Sequence, residues 1–139
     1  MAGMTTAKPA RARKKDRPES VVLKECLEAL HAAFYPGFFW RQNNGKVQTK
    51  GLHWVVLCDV KGIADIVGFI PTPYGARIIF VECKKCTGKL REDQVRFRER
   101  VRTLGGICVE ARTGAEAVAG VKLGLQTPVP GSLPPAAVC

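Results

Sequence analysis

Residues 79–94, with the sequence IFVECKKCTGKLREDQ, decide the fold of this chain. The first of them predict an apolar strand that ends in Glu82 and Lys84, and the last predict the start of a basic helix. Because successive strand side chains point to opposite faces, Glu82 and Lys84 lie on the same face. Burying a charged pair is costly unless the two groups neutralise each other or bind a metal ion. This strand end is therefore the first candidate for a functional site.

A third charged residue precedes this strand in GIADIVGF, where Asp65 is the one acid in an apolar run. The run lacks the regular polar and apolar alternation of a solvent-facing strand, which favours a buried strand. PTPYG at residues 71–75 predicts a hairpin loop, so Asp65 and Glu82 would fall on consecutive antiparallel strands. Two neighbouring carboxylates repel unless positive charge lies between them, which Lys84 and a divalent cation would supply. The alternative is an aspartate that only binds turn amides beside Gly62.

Two predicted helices frame these strands. Apolar residues at helical spacing predict a first helix over residues 19–35. A second helix is predicted over residues 91–104. Its buried stripe would comprise Phe97, Val101 and Leu104. Gln94 precedes the first of these by three positions, so its amide is expected on the inward face of the helix.

Shorter patterns predict the remaining elements. Aromatic residues predict a strand over residues 38–42, and Asn43-Asn44-Gly45 predicts a tight turn that returns through residues 46–49. The other predicted elements are strands at residues 54–57 and 107–111 and a last helix over residues 114–123 with Thr113 as its cap. The predicted fold class is therefore α/β, with a mixed β-sheet flanked by helices in the order α-β-β-β-α-β.

The composition fits one basic domain. The 139 residues carry 22 Lys and Arg against 12 Asp and Glu, a net charge of +10, and 46% of them are hydrophobic, which suffices for a core. We predict a disordered basic arm over residues 1–18, a folded domain over 19–124 and a disordered Pro-rich tail over 125–139. The folded part is basic as well as the arm, so nucleic acid is the expected partner. The arm itself either contacts phosphates or is a solvated tail.

Several other classes of protein are disfavoured. No apolar run of about 18 residues could span a bilayer, and no apolar signal segment is present, so we expect a cytoplasmic protein without membrane contact. No GxxxxGK[ST] phosphate loop occurs, so we expect no nucleotide cofactor. His31 and His53 have no evident partners for a catalytic triad.

Six cysteines are expected to be reduced thiols, because nothing in the sequence directs the chain to an oxidising compartment. Cys83 and Cys86 form a CxxC pair, but a structural zinc ion needs four ligands and no second pair occurs. A zinc-stabilised interaction module is therefore an alternative with an incomplete ligand set.

The charged residues suit metal-dependent cleavage of a phosphodiester. Asp65 and Glu82 offer the oxygen ligands that Mg²⁺ or Mn²⁺ prefers, and the carbonyl of Cys83 could add another. Lys84 would orient or help deprotonate the attacking water, and Gln94 would position Lys84 or that water. Glu19 is either a first-turn acid that interacts with the helix dipole or an additional metal ligand.

Basic and polar residues around these positions are candidate DNA contacts. An ordinary solvated surface is the alternative for all of them. The candidates are Arg41, Asn44, Lys46, Lys50, Lys85, Lys89, Arg91 and Arg98.

The order RQNNG, GIADIVGF, FVECKKCTGKL and then Gln94 resembles the VRR-NUC family of the PD-(D/E)xK nuclease superfamily, over about residues 19–119. The resemblance implies a restriction-endonuclease-like core in which Asp65 binds metal, Glu82 and Lys84 form the ExK motif, and Gln94 is the motif glutamine. Glu19 resembles the acid of the family's first helix. Ala64 stands where the superfamily name has proline.

The resemblance further implies a structure-selective DNA endonuclease, similar to Holliday junction resolvases, that acts on branched or junction DNA as a homodimer. Relatives of this kind often come from phages, which would place the protein in a bacterial host cytoplasm. Two alternatives stay open: a non-catalytic DNA-binding protein with a nuclease-like fold, and a nuclease that acts on flaps, single strands or a restriction-type target.

Overall fold

The computed structural model describes residues 16–127. Most of the predicted arm and tail therefore lies outside the described residues. Within them, Arg17 forms an ion pair with Glu25 and donates a hydrogen bond of 3.1 Å to the carbonyl of Arg112. The last helix continues to Gln126, beyond the predicted boundaries at residues 123 and 124.

The described residues form three helices and six strands. In chain order they are α1 (Glu19–Ala33), β1 (Phe38–Arg41), β2 (Gly45–Gln48), β3 (Trp54–Cys58), β4 (Ile66–Thr72), β5 (Gly75–Cys83), α2 (Glu92–Thr103), β6 (Ile107–Ala111) and α3 (Gly114–Gln126). The predicted helices and the strands at 54–57 and 107–111 are confirmed. Thr113 caps α3, as predicted, by accepting a hydrogen bond of 3.1 Å from the backbone N–H of Glu116.

A four-stranded sheet in the order β1-β4-β5-β6 forms the centre of the fold. β4 pairs antiparallel with β1 and β5, and β5 pairs parallel with β6, so α2 is the crossover between the two parallel strands. The sheet is mixed and flanked by helices, which confirms the coarse fold class. β2 and β3 form a separate two-stranded sheet.

Strand alternation divides the core into two layers. Ile79, Val81 and Cys83 of β5 point to one face, where they pack against α1 and α3. Phe80 points to the other face, where it meets Phe97 of α2 edge to face with ring centroids 5.0 Å apart. Glu82 and Lys84 follow Phe80 on this second face, at the end of the strand.

The predicted hairpin of residues 38–42 and 46–49 is wrong. β1 pairs with β4, which comes later in the sequence than β2 and β3. β2 pairs with β3 instead of with β1. Phe39 decides the pairing, because its ring is buried in the core opposite Gly68, where a Cβ atom would overlap it. The aromatic strand can bury its side chains only against the main sheet.

Two smaller predictions also need correction. The helical pattern predicts Leu104 in the buried stripe of the second helix, but this residue is 78% exposed because the helix ends before it. The sequence predicts Pro71 and Thr72 in a loop, yet both belong to β4. Pro71 is tolerated there because β1 pairs only as far as Phe69, so the missing N–H breaks no bond to that strand.

No helix in residues 16–127 is long and apolar enough to cross a membrane.

Candidate active site

Asp65 lies directly before β4 and reaches the end of β5. The register pairs Ile66 with Val81, so one further residue along the ladder brings Asp65 opposite Glu82. The Oδ2 atom of Asp65 accepts a hydrogen bond of 2.9 Å from the backbone N–H of Cys83. The carbonyl of Asp65 also accepts one of 2.7 Å from Gln42, which continues the pairing of β1 with β4.

Glu82 is the centre of a buried polar network. It is 5% exposed, and its Oε1 atom accepts hydrogen bonds from the Lys84 ammonium, 2.8 Å away, and from the side-chain amide of Gln94. The Oε1 atom of Gln94 in turn accepts a hydrogen bond of 2.9 Å from the backbone N–H of Arg91, the N-cap residue of α2. Because that acceptor is occupied, the NH₂ group of Gln94 must point to Glu82.

The loop that follows β5 packs on the stem of Lys84. Lys84 is 9% exposed, and an added Cβ atom at Gly88 would lie 3.3 Å from its Cδ atom. Arg112 holds this loop by donating a hydrogen bond of 3.0 Å to the carbonyl of Gly88. The stem is therefore confined, and the ammonium is directed at the carboxylate of Glu82.

These groups line an open cavity of about 500 Å³. The four residues that the sequence predicts to act together all lie on its wall: Asp65, Glu82, Lys84 and Gln94. Its other lining residues are Glu19, Asn44, Gly45, Cys58, Val60, Lys61, Gly62, Ile63, Lys89, Arg91 and Asp93. The cavity is large enough for a phosphate group with its flanking sugars.

The two carboxylates fit a hard divalent cation. In residues 16–127, Asp65 and Glu82 each use one oxygen in hydrogen bonds, which leaves Oδ1 of Asp65 and Oε2 of Glu82 available. Mg²⁺ is commonly held by one or two carboxylates, with water and phosphate oxygens completing its shell. No group of three or more His, Cys, Asp or Glu side chains in this part of the chain is close enough to hold an ion by itself. The donors therefore suit a cation shared with a phosphate.

Burial raises the pKa of both carboxyls. For Asp65 the N–H of Cys83 and the ammonium of Lys84 oppose the increase in pKa, while the charge of Glu19 adds to it. For Glu82, burial raises the pKa, the hydrogen bond from Lys84 lowers it and the charge of Asp65 raises it again. Raised pKa values at two neighbouring carboxyls that line one cavity are typical of a functional site.

We expect Asp65→Asn to stabilise the metal-free protein at neutral pH, by about 1 kcal/mol. A raised pKa in the folded state means that stability is fully present below the ordinary carboxyl pKa of about 4 and is lost as the pH rises through the raised value. The amide cannot ionise, so the variant should not lose this stability. The difference in free energy of unfolding between variant and parent should therefore be absent below about pH 4 and largest at neutral pH.

Urea denaturation in EDTA at several pH values measures this difference. Asp59→Asn is the matched control, because it removes the same charge from an exposed position. Mn²⁺ should raise the thermal midpoint of the parent and of the control, but not of Asp65→Asn. Equal stabilisation by both substitutions would contradict the prediction.

The other predicted metal ligands differ in position. Glu19 is exposed in the first turn of α1, yet it lines the same cavity, and its negative charge contributes to the raised pKa of Asp65. The thiol of Cys83 points into the opposite core layer beside Cys26. The backbone N–H of Cys83 faces Asp65, and ligation by its carbonyl stays a prediction.

The predicted DNA contacts fall into three groups. Asn44, Lys89 and Arg91 line the cavity, and Arg41 is near enough to lower the pKa of Asp65. Three exposed lysines lie outside the cavity wall: Lys46, Lys50 and Lys85. Arg98 is separate, because its guanidinium is held by Glu110 at 3.3 Å beside the edge strand β6.

Two supporting roles were missed from the sequence. Asn44 donates hydrogen bonds to the carbonyls of Ile63 and Ala64, at 3.2 and 3.4 Å, and so fixes the backbone just before Asp65. Gly62, with φ of 76°, brings its loop against the start of α2. A Lys-Gly pair before an apolar strand is the only sequence signal of this contact.

The zinc alternative gains no support from the described residues. Cys83 is buried and Cys86 is exposed, and all five cysteines of residues 16–127 are free thiols. The hydrogen bond with Cys26, together with burial, raises the pKa of the Cys83 thiol, so it is a poor source of the thiolate that zinc requires.

Comparisons with protein-family models, with curated proteins and with solved structures find no match. Membership of the VRR-NUC family stays a prediction from the sequence motifs.

Proposed function

We propose that the protein is a divalent-metal-dependent DNA endonuclease with a restriction-endonuclease-like core of the VRR-NUC type. The observation that carries the proposal is the convergence of Asp65, Glu82 and Lys84 on one open cavity, with two carboxylate oxygens that have no partner among residues 16–127. Carboxylates that flank an ammonium at the end of two antiparallel strands provide the charges that phosphodiester hydrolysis needs. The basic surroundings of the cavity match a polyanionic substrate.

The side chains suggest a division of labour. Mg²⁺ or Mn²⁺ held by Asp65 and Glu82 would polarise the phosphate and make bound water more acidic. Because Lys84 forms an ion pair with Glu82, its ammonium acts as a donor that orients the attacking water and offsets negative charge on the phosphate. Gln94 holds Glu82 in place instead of contacting the water directly. Water adds to phosphorus, the bond to one sugar oxygen breaks, and that oxygen leaves with a proton.

The substrate that we propose is branched or junction DNA, cut by a homodimer. The sequence motifs support this choice, and the basic cavity rim with Lys89 and Arg91 is compatible with it. A two-fold dimer would present two such cavities to a symmetric junction, which suits paired cuts.

Cleavage of a DNA panel tests the proposal. Four-way junctions, flaps, single strands and linear duplexes of matched sequence are incubated with Mg²⁺, Mn²⁺ or EDTA. We expect nicks that depend on the cation and are most frequent in the four-way junction. Cation-independent binding without nicking of any substrate would support the rival function, a non-catalytic DNA-binding protein.

A further inference from the structure

Within the part of the chain that the structure describes, the hairpin of β2 and β3 projects from the fold with both faces uncovered. Every residue from Gly45 to Leu57 is exposed. An isolated two-stranded hairpin is only marginally stable in water, so we expect a binding partner to stabilise this one. The pairs Gln48–Trp54 and Lys46–Val56 point to one face, and Val47–Val55 points to the other. We call this hairpin, residues 45–58, the wing.

One face of the wing combines an aromatic ring with a cation. Trp54 is 65% exposed, although tryptophan is usually largely buried. Its cross-strand neighbour is Gln48, and Lys46 is the diagonal neighbour on the same face. A flat ring beside an amide and an ammonium can stack on a nucleobase while the ammonium meets the adjacent phosphate.

The tip of the wing carries a strained apolar residue. Leu52 has φ of 62° and is 75% exposed. A side chain in this left-handed region costs about 1–2 kcal/mol, which glycine would avoid. Two backbone hydrogen bonds, Thr49 to His53 at 2.8 Å and Leu52 to Thr49 at 2.9 Å, close the tip and hold the residue there. Backbone strain that is retained at an exposed apolar residue indicates that the side chain of Leu52 contacts a binding partner.

The base of the wing joins the candidate active site. Gly45 and Cys58 line the cavity that holds Asp65 and Glu82. Trp54 is four residues from Cys58 along β3, a distance of about 13 Å. A nucleic-acid strand with its phosphate in the cavity can therefore extend along the wing as far as the ring.

The charge of this region favours a nucleic acid over a second copy of the chain. Residues 41–61 contain one acid, Asp59, and four basic residues: Arg41, Lys46, Lys50 and Lys61. An identical copy would bring the same positive charge against it, whereas a phosphate backbone is complementary.

We propose that the wing binds an unpaired nucleotide beside the scissile phosphate, with its base stacked on Trp54 and Leu52 acting as a wedge. The proposal rests on the proposed function, in that the nucleotide belongs to the DNA that is cut. It adds a selection rule: the substrate must offer a base that can leave its stack within reach of the wing. A flap or single strand offers such a base directly, a four-way junction offers one when its branch point opens, and a blunt duplex does not.

Tryptophan fluorescence tests the contact without cleavage. The full chain has two tryptophans, and Trp40→Phe leaves Trp54 as the sole tryptophan. In EDTA, a 15-nucleotide single strand should quench Trp54, whereas the blunt duplex of the same strand should not. In the parent background, Trp54→Ala should weaken single-strand binding roughly 5- to 150-fold and leave duplex binding unchanged. Binding is measured by anisotropy of labelled DNA.

Tyr74→Ala is the matched control, because this aromatic is 73% exposed in the β4–β5 turn. An equal loss of affinity in both variants, or bound single strand without quenching, would overturn the proposal. Emission that shifts to the blue with protein concentration in the absence of DNA would assign the wing to a second copy instead. Nicking is measured separately. Quenching without nicking would support nucleotide binding by the wing and contradict the proposed nuclease function. Nicking without quenching would support the nuclease function and contradict binding by the wing.

Discussion

Replacing Glu82 with glutamine should reduce cation-dependent nicking by about 10³-fold or more. The amide keeps the size of the side chain and an acceptor for Lys84, but it removes the charge that binds a cation and directs the ammonium. Glutamine is preferable to alanine, because alanine would leave the buried ammonium of Lys84 without a partner, at a cost of about 3–5 kcal/mol in stability. A loss of activity in Glu82→Gln can then be separated from unfolding.

Glu110 provides the matched control for this substitution. It pairs with Glu82 in the parallel register of β5 and β6 and also forms ion pairs, with Arg98 and Arg112. It does not line the candidate active site. Glu110→Gln should therefore keep its nicking rate, measured on the same junction in Mg²⁺ and Mn²⁺. If Glu82→Gln nicks as fast as Glu110→Gln, the assignment of the site is wrong.

Gly62→Ala should lower the free energy of unfolding by about 3 kcal/mol or more. An added Cβ atom would lie 2.7 Å from the backbone nitrogen of Gln94 and still closer to the carbonyl of Asp93. These are backbone atoms at the start of α2, so the loop and the helix must separate. The separation would withdraw Gln94 from Glu82 and disorder the network that holds Lys84.

Gly75→Ala isolates the steric part of this effect. Gly75 also has positive φ, 110°, but an added Cβ atom there meets no atom of residues 16–127 within 4 Å. The control should therefore lose only the conformational cost of about 1–2 kcal/mol. Urea denaturation measures both variants, and nicking is measured at a temperature where both are folded. Similar losses of stability would show that contact with α2 does not matter.

The local part of the site was predictable because it follows from strand and helix periodicity. Alternation along β5 predicts that Glu82 and Lys84 share a face, and the structure agrees. Helical spacing predicts that Gln94 turns inward, and it is 5% exposed. The hairpin between Asp65 and Glu82 predicts their approach, which the register of β4 and β5 confirms. The sequence could not show that Gln94 is oriented by the backbone of Arg91, because that bond depends on where α2 begins.

The pairing of β1 was not predictable from neighbouring residues. Asn43-Asn44-Gly45 is a strong turn signal, and taken alone it favours a hairpin. The hairpin does not form, because burial of Phe39 against Gly68 outweighs the local turn preference. These two residues are far apart in the sequence. The same outcome frees β2 to pair with β3 and creates the exposed wing.

By itself, the sequence determined the helices, most strands and the face on which Glu82, Lys84 and Gln94 lie, because these follow from side-chain spacing within one element. Only the tertiary structure decided that Asn44 supports the loop of Asp65, that Gly62 seats α2 and that the wing opens beside the cavity. These features arise where segments distant in the chain compete for the same buried space. The packing energy of the whole fold decides which segment is buried there. A local sequence pattern does not contain this information.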